Sequence, residues 1–234
     1  MRFHLLRHGE SVSNAAVGVV ALPEAEGDRL SPLGERQAEA AAARLAESGL
    51  PVSRVVASPM GRAQQTAAAV AAALGLEVET WEEIHELREP GSYYALGEAE
   101  QQRARWSNRM REHADDPGHA PDGGESFDDL VGRVEQALAR LVDDDIDETL
   151  LVGHGIFARF TFARTVLGDA FTPAGIDRLW RIGSLNCGLS TFEHVRAEGS
   201  LNPADIDGWR CVTWMAPLLD PADVTGTGGG GAGN

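Results

Sequence analysis

The chain has 234 residues, 43% of them hydrophobic, enough to bury one substantial core, and a formal charge of −16 from 36 acidic and 20 basic side chains. That balance argues against a nucleic-acid groove or an anionic membrane surface as the main partner and fits a soluble enzyme. Every basic residue is Arg; without Lys, Schiff-base chemistry and a P-loop lysine are excluded, and anion recognition falls to Arg, His and backbone amides.

Arg suits that task, because its planar fork holds two phosphate oxygens and stays charged. Two cysteines, Cys187 and Cys211, are too few for a disulfide framework and lack zinc-ligand spacing. Met1–Leu6 is too short for a signal peptide ahead of Arg7, and no run approaches ~18 apolar residues. A cytoplasmic location is therefore the expectation.

In chain order, Arg2–Leu6 reads as a strand ending at Arg7-His8-Gly9, where α/β proteins carry ligand loops. Ser31-Pro32 starts a helix that runs to Ser48 before Gly49. Arg54–Ala57 is a second strand, Ser58-Pro59 a cap, and Met60–Leu74 a helix ending at Gly75. Glu77–Thr80 is a short strand. From Trp81 to Gly124 periodicity is lost except for an expected helix over Glu98–His113, so 81–124 reads as a lid-like insertion.

Ser126 with Asp129 forms a capping-box pattern for a helix to Leu141, which Asp143-Asp144-Asp145 ends as a solvated turn. Thr149–Val152 is a buried strand delivering Gly153-His154-Gly155, and Phe157–Leu167 is the next helix. Leu189–Val195 and Arg210–Trp214 look like strands at an antiparallel sheet edge. From Asp220 on, the Gly-rich composition predicts a disordered tail, 220–234, after a catalytic domain spanning 1–219.

Three segments carry phosphate-compatible groups at strand ends or helix starts: Arg7-His8-Gly9, Arg62, and Gly153-His154-Gly155. In a parallel sheet these ends share one edge, so residues far apart in sequence can surround one anion. Gly9 and Gly155 would let backbone approach an oxyanion, and the helix after Pro59 would point its positive end the same way. Exposed charges beyond ~8 Å are largely screened, so the net −16 does not forbid such a pocket.

These residues resemble the histidine phosphatase superfamily, also called phosphoglycerate mutase-like. The resemblance rests on Arg7-His8-Gly9-Glu10-Ser11 with Asn14, Leu30-Ser31-Pro32-Leu33-Gly34 with Gln37-Ala38, and Ser58-Pro59-Met60-Gly61-Arg62-Ala63 through Thr66-Ala67. Gly124-Glu125-Ser126 and Val152-Gly153-His154-Gly155 complete the order, over about Met1 to Val195. It implies a three-layer α/β/α sandwich around a mostly parallel sheet, and metal-independent phosphoryl transfer with no cofactor. His8 would be the residue phosphorylated, with Arg7, Arg62 and His154 stabilising the transferred oxygens and Asn14 and Gly155 contributing less. Glu86 stands where the resemblance places the general acid, with Glu89 as its rival.

Blander roles stand beside these. Asn14 can make an Asx-turn and Ser58 a cap. Arg103, Arg105, Arg109 and Arg111 read as a solvated helix face, and Trp106 and Tyr93-Tyr94 either line the pocket or pack the insertion. The expected activity is hydrolysis of small phosphomonoesters, with a bisphosphoglycerate-dependent mutase as the alternative and a silent phosphate-ligand binder as a third class. Leu87-Arg88-Glu89-Pro90-Gly91 after Glu86 departs from the Arg-His-Tyr-Gly common in mutases, and Pro90-Gly91-Ser92-Tyr93-Tyr94 from the Gly-Asp-Trp-Glu-Gly common in phosphatases. The expected partner is a small phosphorylated substrate, with a homodimer allowed and neither nucleic acid nor membrane involved.

Overall fold

The computed structural model describes residues 1–15, 27–97, 100–101, 106–120, 123–195 and 208–226. Its strands are β1 (Arg2–Arg7), β2 (Arg54–Ala57), β3 (Val78–Thr80), β4 (Thr149–Gly153), β5 (Gly188–Val195) and β6 (Gly208–Pro217). Its α-helices are α1 (Val12–Ala15), α2 (Pro32–Ser48), α3 (Gly61–Leu74), α4 (Trp106–Glu112), α5 (Phe127–Asp144) and α6 (Gly155–Leu167).

Alternation along the inner strands decides the layering. Successive strand side chains point to opposite faces, and here both directions are apolar. Phe3, Leu5, Val56 and Leu151 enter one core cluster, while Leu6, Val55, Ala57, Leu150 and Val152 enter the other. A sheet apolar on both faces must be covered on both. α3 and Ala-rich α2 cover one face through Ala41, Ala42, Leu45, Ala63, Ala67 and Val70, and α5 and α6 cover the other through Leu130, Val134, Phe157 and Phe160. The result is an α/β/α sandwich.

The strands run in the order β3-β2-β4-β1-β5-β6. β3, β2, β4 and β1 are mutually parallel, and β5 and β6 form the antiparallel edge. β4 lies between β1 and β2, with Arg7 opposite Gly153 and Ala57 opposite Val152. The ends of β1, β2 and β4 thus lie side by side, tied by the His8 amide donating to the Gly153 carbonyl and the Ser58 amide to the Val152 carbonyl, both at 3.0 Å.

Local signals set most element ends. Ser31 caps α2 by accepting the Gly34 N–H, and Gly49 closes it with φ 69°. Ser126 and Asp129 form the capping box of α5. Other ends depart from expectation. α1 was not foreseen, and α3 starts at Gly61 with Met60 as its N-cap and no side-chain cap, so Ser58 does not cap it. α6 begins at Gly155.

α5 continues through Asp143 and Asp144 before Asp145 turns left-handed at φ 48°. Two carboxylates at the negative end of a helix are unfavourable; the Arg54 guanidinium, 2.6 Å from Asp144, offsets one. Of the helix expected over 98–113, α4 is the part whose bounds are defined, and 98–99 and 102–105, with Arg103 and Arg105, lie outside the described residues.

The 81–124 segment is anchored in the body, because Trp81, Ile84, Leu87, Trp106 and Met110 belong to the main core cluster. Trp106 is a packing residue, its indole N–H donating to the Glu125 carbonyl at 3.0 Å and its ring meeting Phe160. The solvated helix face holds for Arg111, which pairs with Asp177 at the surface, and not for Arg109, which is largely buried against Glu89. Residues 220–226, expected as tail, pack on the body: Val224 packs against the second core cluster, and Gln37 donates to the Asp223 carbonyl at 2.7 Å and to Thr225 at 2.9 Å. Residues 227–234 lie outside the described residues. No helix among the described residues is long and apolar enough to cross a membrane.

Candidate active site

His8 leaves the end of β1 into a buried position, 2% exposed. Its Nδ1 lies 2.6 Å from the Gly9 carbonyl, which can only accept, so Nδ1 carries the proton. Its Nε2 accepts from the Arg62 Nε–H at 3.2 Å, and a guanidinium can only donate. The two contacts agree on one tautomer, with a lone pair on Nε2. Burial, then the Arg62 and Arg7 charges, holds the His8 pKa well below 6.5, so the ring is neutral at neutral pH. A neutral imidazole whose lone pair is held only by the Arg62 N–H, beside two guanidinium groups, can attack an anionic phosphorus centre once that N–H moves to a phosphoryl oxygen.

Arg62 stands in the first turn of α3, and Asp28 holds it there. The Asp28 carboxylate accepts from Arg62 Nη1 at 2.8 Å, from the Gly61 amide at 2.7 Å and from the Arg62 amide at 3.3 Å, so it serves the guanidinium and the positive end of the helix together. Thr66, one turn on, donates to the Arg62 carbonyl and accepts the Gly9 amide at 3.1 Å, locking this helix to the His8 loop.

Arg7 reaches across to the loop after α6. Its Nη1 donates to the Ser184 carbonyl at 2.5 Å and to the Gly226 carbonyl at 3.3 Å, while its Nε is buried without a hydrogen-bond partner among the described residues. Burial pushes its pKa down to about 10, which leaves it charged at neutral pH.

His154, fully buried, brings its ring centroid to 5.1 Å from that of His8. Burial, Arg62 and His8 keep its pKa well below 6.5. Gly155 follows; a Cβ there would sit 3.1 Å from Ser184 Oγ and 3.4 Å from Arg7 Nε, so the glycine keeps this corner open. Gly9 serves a different approach from the one expected: a Cβ on it would stand 2.5 Å from the Gly34 carbonyl oxygen, a contact between the site loop and α2.

Glu86 sits on the amino end of α6, where Oε2 accepts the Ile156 amide at 3.1 Å and Oε1 accepts the Phe157 and Leu87 amides. It is therefore next to His154 in space, and its charge acts on Arg7 and Arg159. Glu89 is engaged elsewhere, by Arg109 at 2.5 Å, with burial raising its pKa. The strand-to-loop geometry thus brings Arg7, His8, Arg62, His154, Gly155 and Glu86 together. Asn14 joins at one remove and makes no Asx-turn: its Oδ1 accepts the Ser11 amide at 3.3 Å and its own amide donates to Ser11 Oγ at 3.1 Å, a reciprocal cap at the start of α1, and Oδ1 also accepts the Asn186 Nδ2–H, which donates to the His8 carbonyl at 3.0 Å.

A family model of the histidine phosphatase superfamily, branch 1, matches residues 3–203. The chain belongs to the histidine phosphatase superfamily. It is 34% identical over 205 residues to the probable phosphoglycerate mutase GpmB of Serratia proteamaculans, covering 84% of this chain and 86% of that one. The structure of a mycobacterial glucosyl-3-phosphoglycerate phosphatase is similar with a TM-score of 0.69 at 26% identity, over 92% of this chain and 99% of the other. That of a protein described as mycobacterial hydrolase 2 has a TM-score of 0.71 at 26% identity, over 95% and 93%.

In this superfamily member several site residues had escaped sequence reasoning. Asp28 lies 34 residues from Arg62, and only folding shows the pair. Glu125, in the Gly124-Glu125-Ser126 run, receives Arg133 on both oxygens at 2.7 and 2.9 Å, and Arg133 Nη1 donates to the Glu83 and His85 carbonyls. That brace holds the loop that presents Glu86, and the run was the available signal. Asn186 and Thr225 carried none; the Thr225 hydroxyl donates to Asn186 Oδ1 at 3.2 Å, and the Asn186 amide to the Thr225 carbonyl at 2.9 Å.

Proposed function

We propose that this chain is a phosphatase that hydrolyses small phosphomonoesters without a metal ion, through a phosphohistidine on His8. The observation that carries the reading is the Nε2 lone pair of a buried, neutral His8 held against Arg62. Nε2 attacks phosphorus as the ester P–O bond breaks, and the Arg62 N–H passes from Nε2 to a phosphoryl oxygen. Arg7, Arg62 and the amide end of α6 at Gly155 stabilise the charge on the transferred oxygens. Glu86 acts in its protonated form, giving its proton to the leaving oxygen, and the resulting carboxylate takes one from the water that cleaves the P–N bond, which restores the acid. Inorganic phosphate and free His8 result.

The mutase reading keeps one observation in its favour, the name of the 34%-identical relative. Incubating the protein with EDTA and a panel of phosphomonoesters, including 3-phosphoglycerate with and without 2,3-bisphosphoglycerate, separates the two. Free phosphate supports the hydrolase, isomerisation supports the mutase, and dependence on an added metal overturns the metal-free mechanism.

Glu86→Gln is expected to lower kcat on alkyl phosphates by about 10² to 10⁴ and to spare aryl phosphates, whose leaving oxygen needs little protonation. Equal losses on both classes would remove Glu86 from the acid role.

Acid should also destabilise the fold. Because His8 and His154 have folded-state pKa values well below 6.5, the unfolded chain binds more protons than the folded one below 6.5. Stability therefore rises with pH through that window and levels above it. Thermal midpoints should fall on acidification from about pH 7 to about pH 5, and His8→Asn should flatten the slope; an unchanged slope would contradict a buried neutral His8.

A further inference from the structure

Ser58 directly follows β2, and the sequence suggests a helix cap; the structure gives it another neighbour. Its Oγ lies 2.7 Å from His154 Nε2 and accepts the Met60 amide at 3.3 Å. Ser58 and His154 are both fully buried. His154 Nδ1, by contrast, is buried with no hydrogen-bond partner among the described residues.

Counting donors and acceptors settles the direction of the Ser58–His154 bond. A hydroxyl has one proton to give, and a buried one needs an acceptor. Among the described residues the only acceptor within reach of Ser58 Oγ is His154 Nε2. Were Nε2 protonated, Oγ would receive two donors while its own proton went unpaired. With Nε2 as acceptor, Oγ gives to the ring and receives from Met60, so the hydroxyl and Nε2 are both satisfied. The neutral ring then carries its proton on Nδ1, the nitrogen without a partner.

We propose that Ser58 is a positioning residue that fixes His154 in the Nδ1–H tautomer, so that His154 offers the transferring phosphoryl group a proton-donating nitrogen and not a lone pair. His8 and His154 then share one tautomer and use opposite nitrogens: His8 turns Nδ1–H to a backbone carbonyl and presents Nε2, while His154 turns Nε2 to Ser58 and presents Nδ1. The unpaired Nδ1–H is a donor held ready for an oxyanion. Two similar rings 5.1 Å apart thereby divide into nucleophile and donor. The inference rests on the phosphoryl-transfer reading for its purpose, but the tautomer itself is a property of the free protein.

The test is long-range 1H–15N correlation of the histidine rings in the full-length, 15N-labelled protein, with His154 assigned by His154→Gln. The expected spectrum shows His154 with Nδ1 protonated and Nε2 as acceptor, and orthovanadate shifts the Nδ1–H resonance. Ser58→Ala should populate the Nε2–H tautomer and lower kcat on an aryl phosphate by about tenfold or more, with KM less affected, while Ser58→Thr restores both. A protonated Nε2 in the wild type overturns the proposal whatever the activity. So does a Ser58→Ala protein with unchanged tautomer, or a Ser58→Thr protein as impaired as Ser58→Ala. An enzyme with the expected tautomer but no phosphatase activity would instead count against the function proposed above.

Discussion

His8→Ala is expected to lower kcat on an aryl phosphate by about 10⁴ or more while leaving the fold intact. The loss should be this large because the ring supplies the new bond itself. The site's other groups are poorly placed to substitute: Arg7 and Arg62 have no lone pair to offer, Glu86 has its carboxylate on the amides of Leu87, Ile156 and Phe157, and His154 turns Nε2 to Ser58. The ring also makes few demands on the scaffold beyond bonds to the Gly9 carbonyl and Arg62, so circular dichroism should be close to wild type. Trapping with 32P-labelled substrate under alkaline quench, where phosphohistidine survives, should label the wild type and not the variant. Activity within tenfold of wild type would remove His8 from the mechanism.

Arg62→Ala is expected to cost about 10³ in kcat/KM, at the upper end of what one oxyanion-binding donor contributes, because the same guanidinium also orients the His8 lone pair. It should destabilise the fold as well, by about 3 kcal/mol, since Asp28 is left with its charge and without its cation at 17% side-chain exposure. Asp28→Asn removes that stranded charge. The double variant Arg62→Ala/Asp28→Asn should therefore be more stable than Arg62→Ala alone, although no more active. Denaturant midpoints and initial rates on the four proteins check both halves. Strictly additive stability losses would mean that the two residues are not coupled.

Arg62→Lys sharpens the same point. A lysine keeps the charge but has a single nitrogen, and it cannot donate to His8 Nε2 and Asp28 Oδ1 from two fixed directions as the guanidinium does. Recovery of only a small part of the rate would assign the effect to geometry; full recovery would assign it to charge alone.

What the sequence determined by itself was local. Pro32 and Gly49 bound α2, and Ser126 with Asp129 starts α5, because a cap is made within four residues of where it acts. The sheet covered on both faces was expected from the family resemblance, Thr149–Val152 read as a buried strand, and Arg7-His8, Arg62 and His154 were legible because strand ends and helix starts are where α/β proteins expose polar groups. Tertiary structure decided which of these groups meet and which partner each takes. Ser58-Pro59 has the local form of a cap, yet β4 packs beside β2 and gives Ser58 a histidine 96 residues away. The Gly-rich end has the composition of a tail, yet the Thr225 and Gly226 carbonyls accept from the Asn186 amide and Arg7, because a backbone carbonyl can satisfy a buried donor whatever the residue that carries it. Asp28 is one acidic residue among 36 in the sequence, and only the fold brings it to the amino end of α3 and the guanidinium of Arg62. Hydrogen bonds and ion pairs reach only a few ångströms, so a pairing across 34 or 178 residues leaves no mark on the neighbouring sequence and exists only once the core has packed.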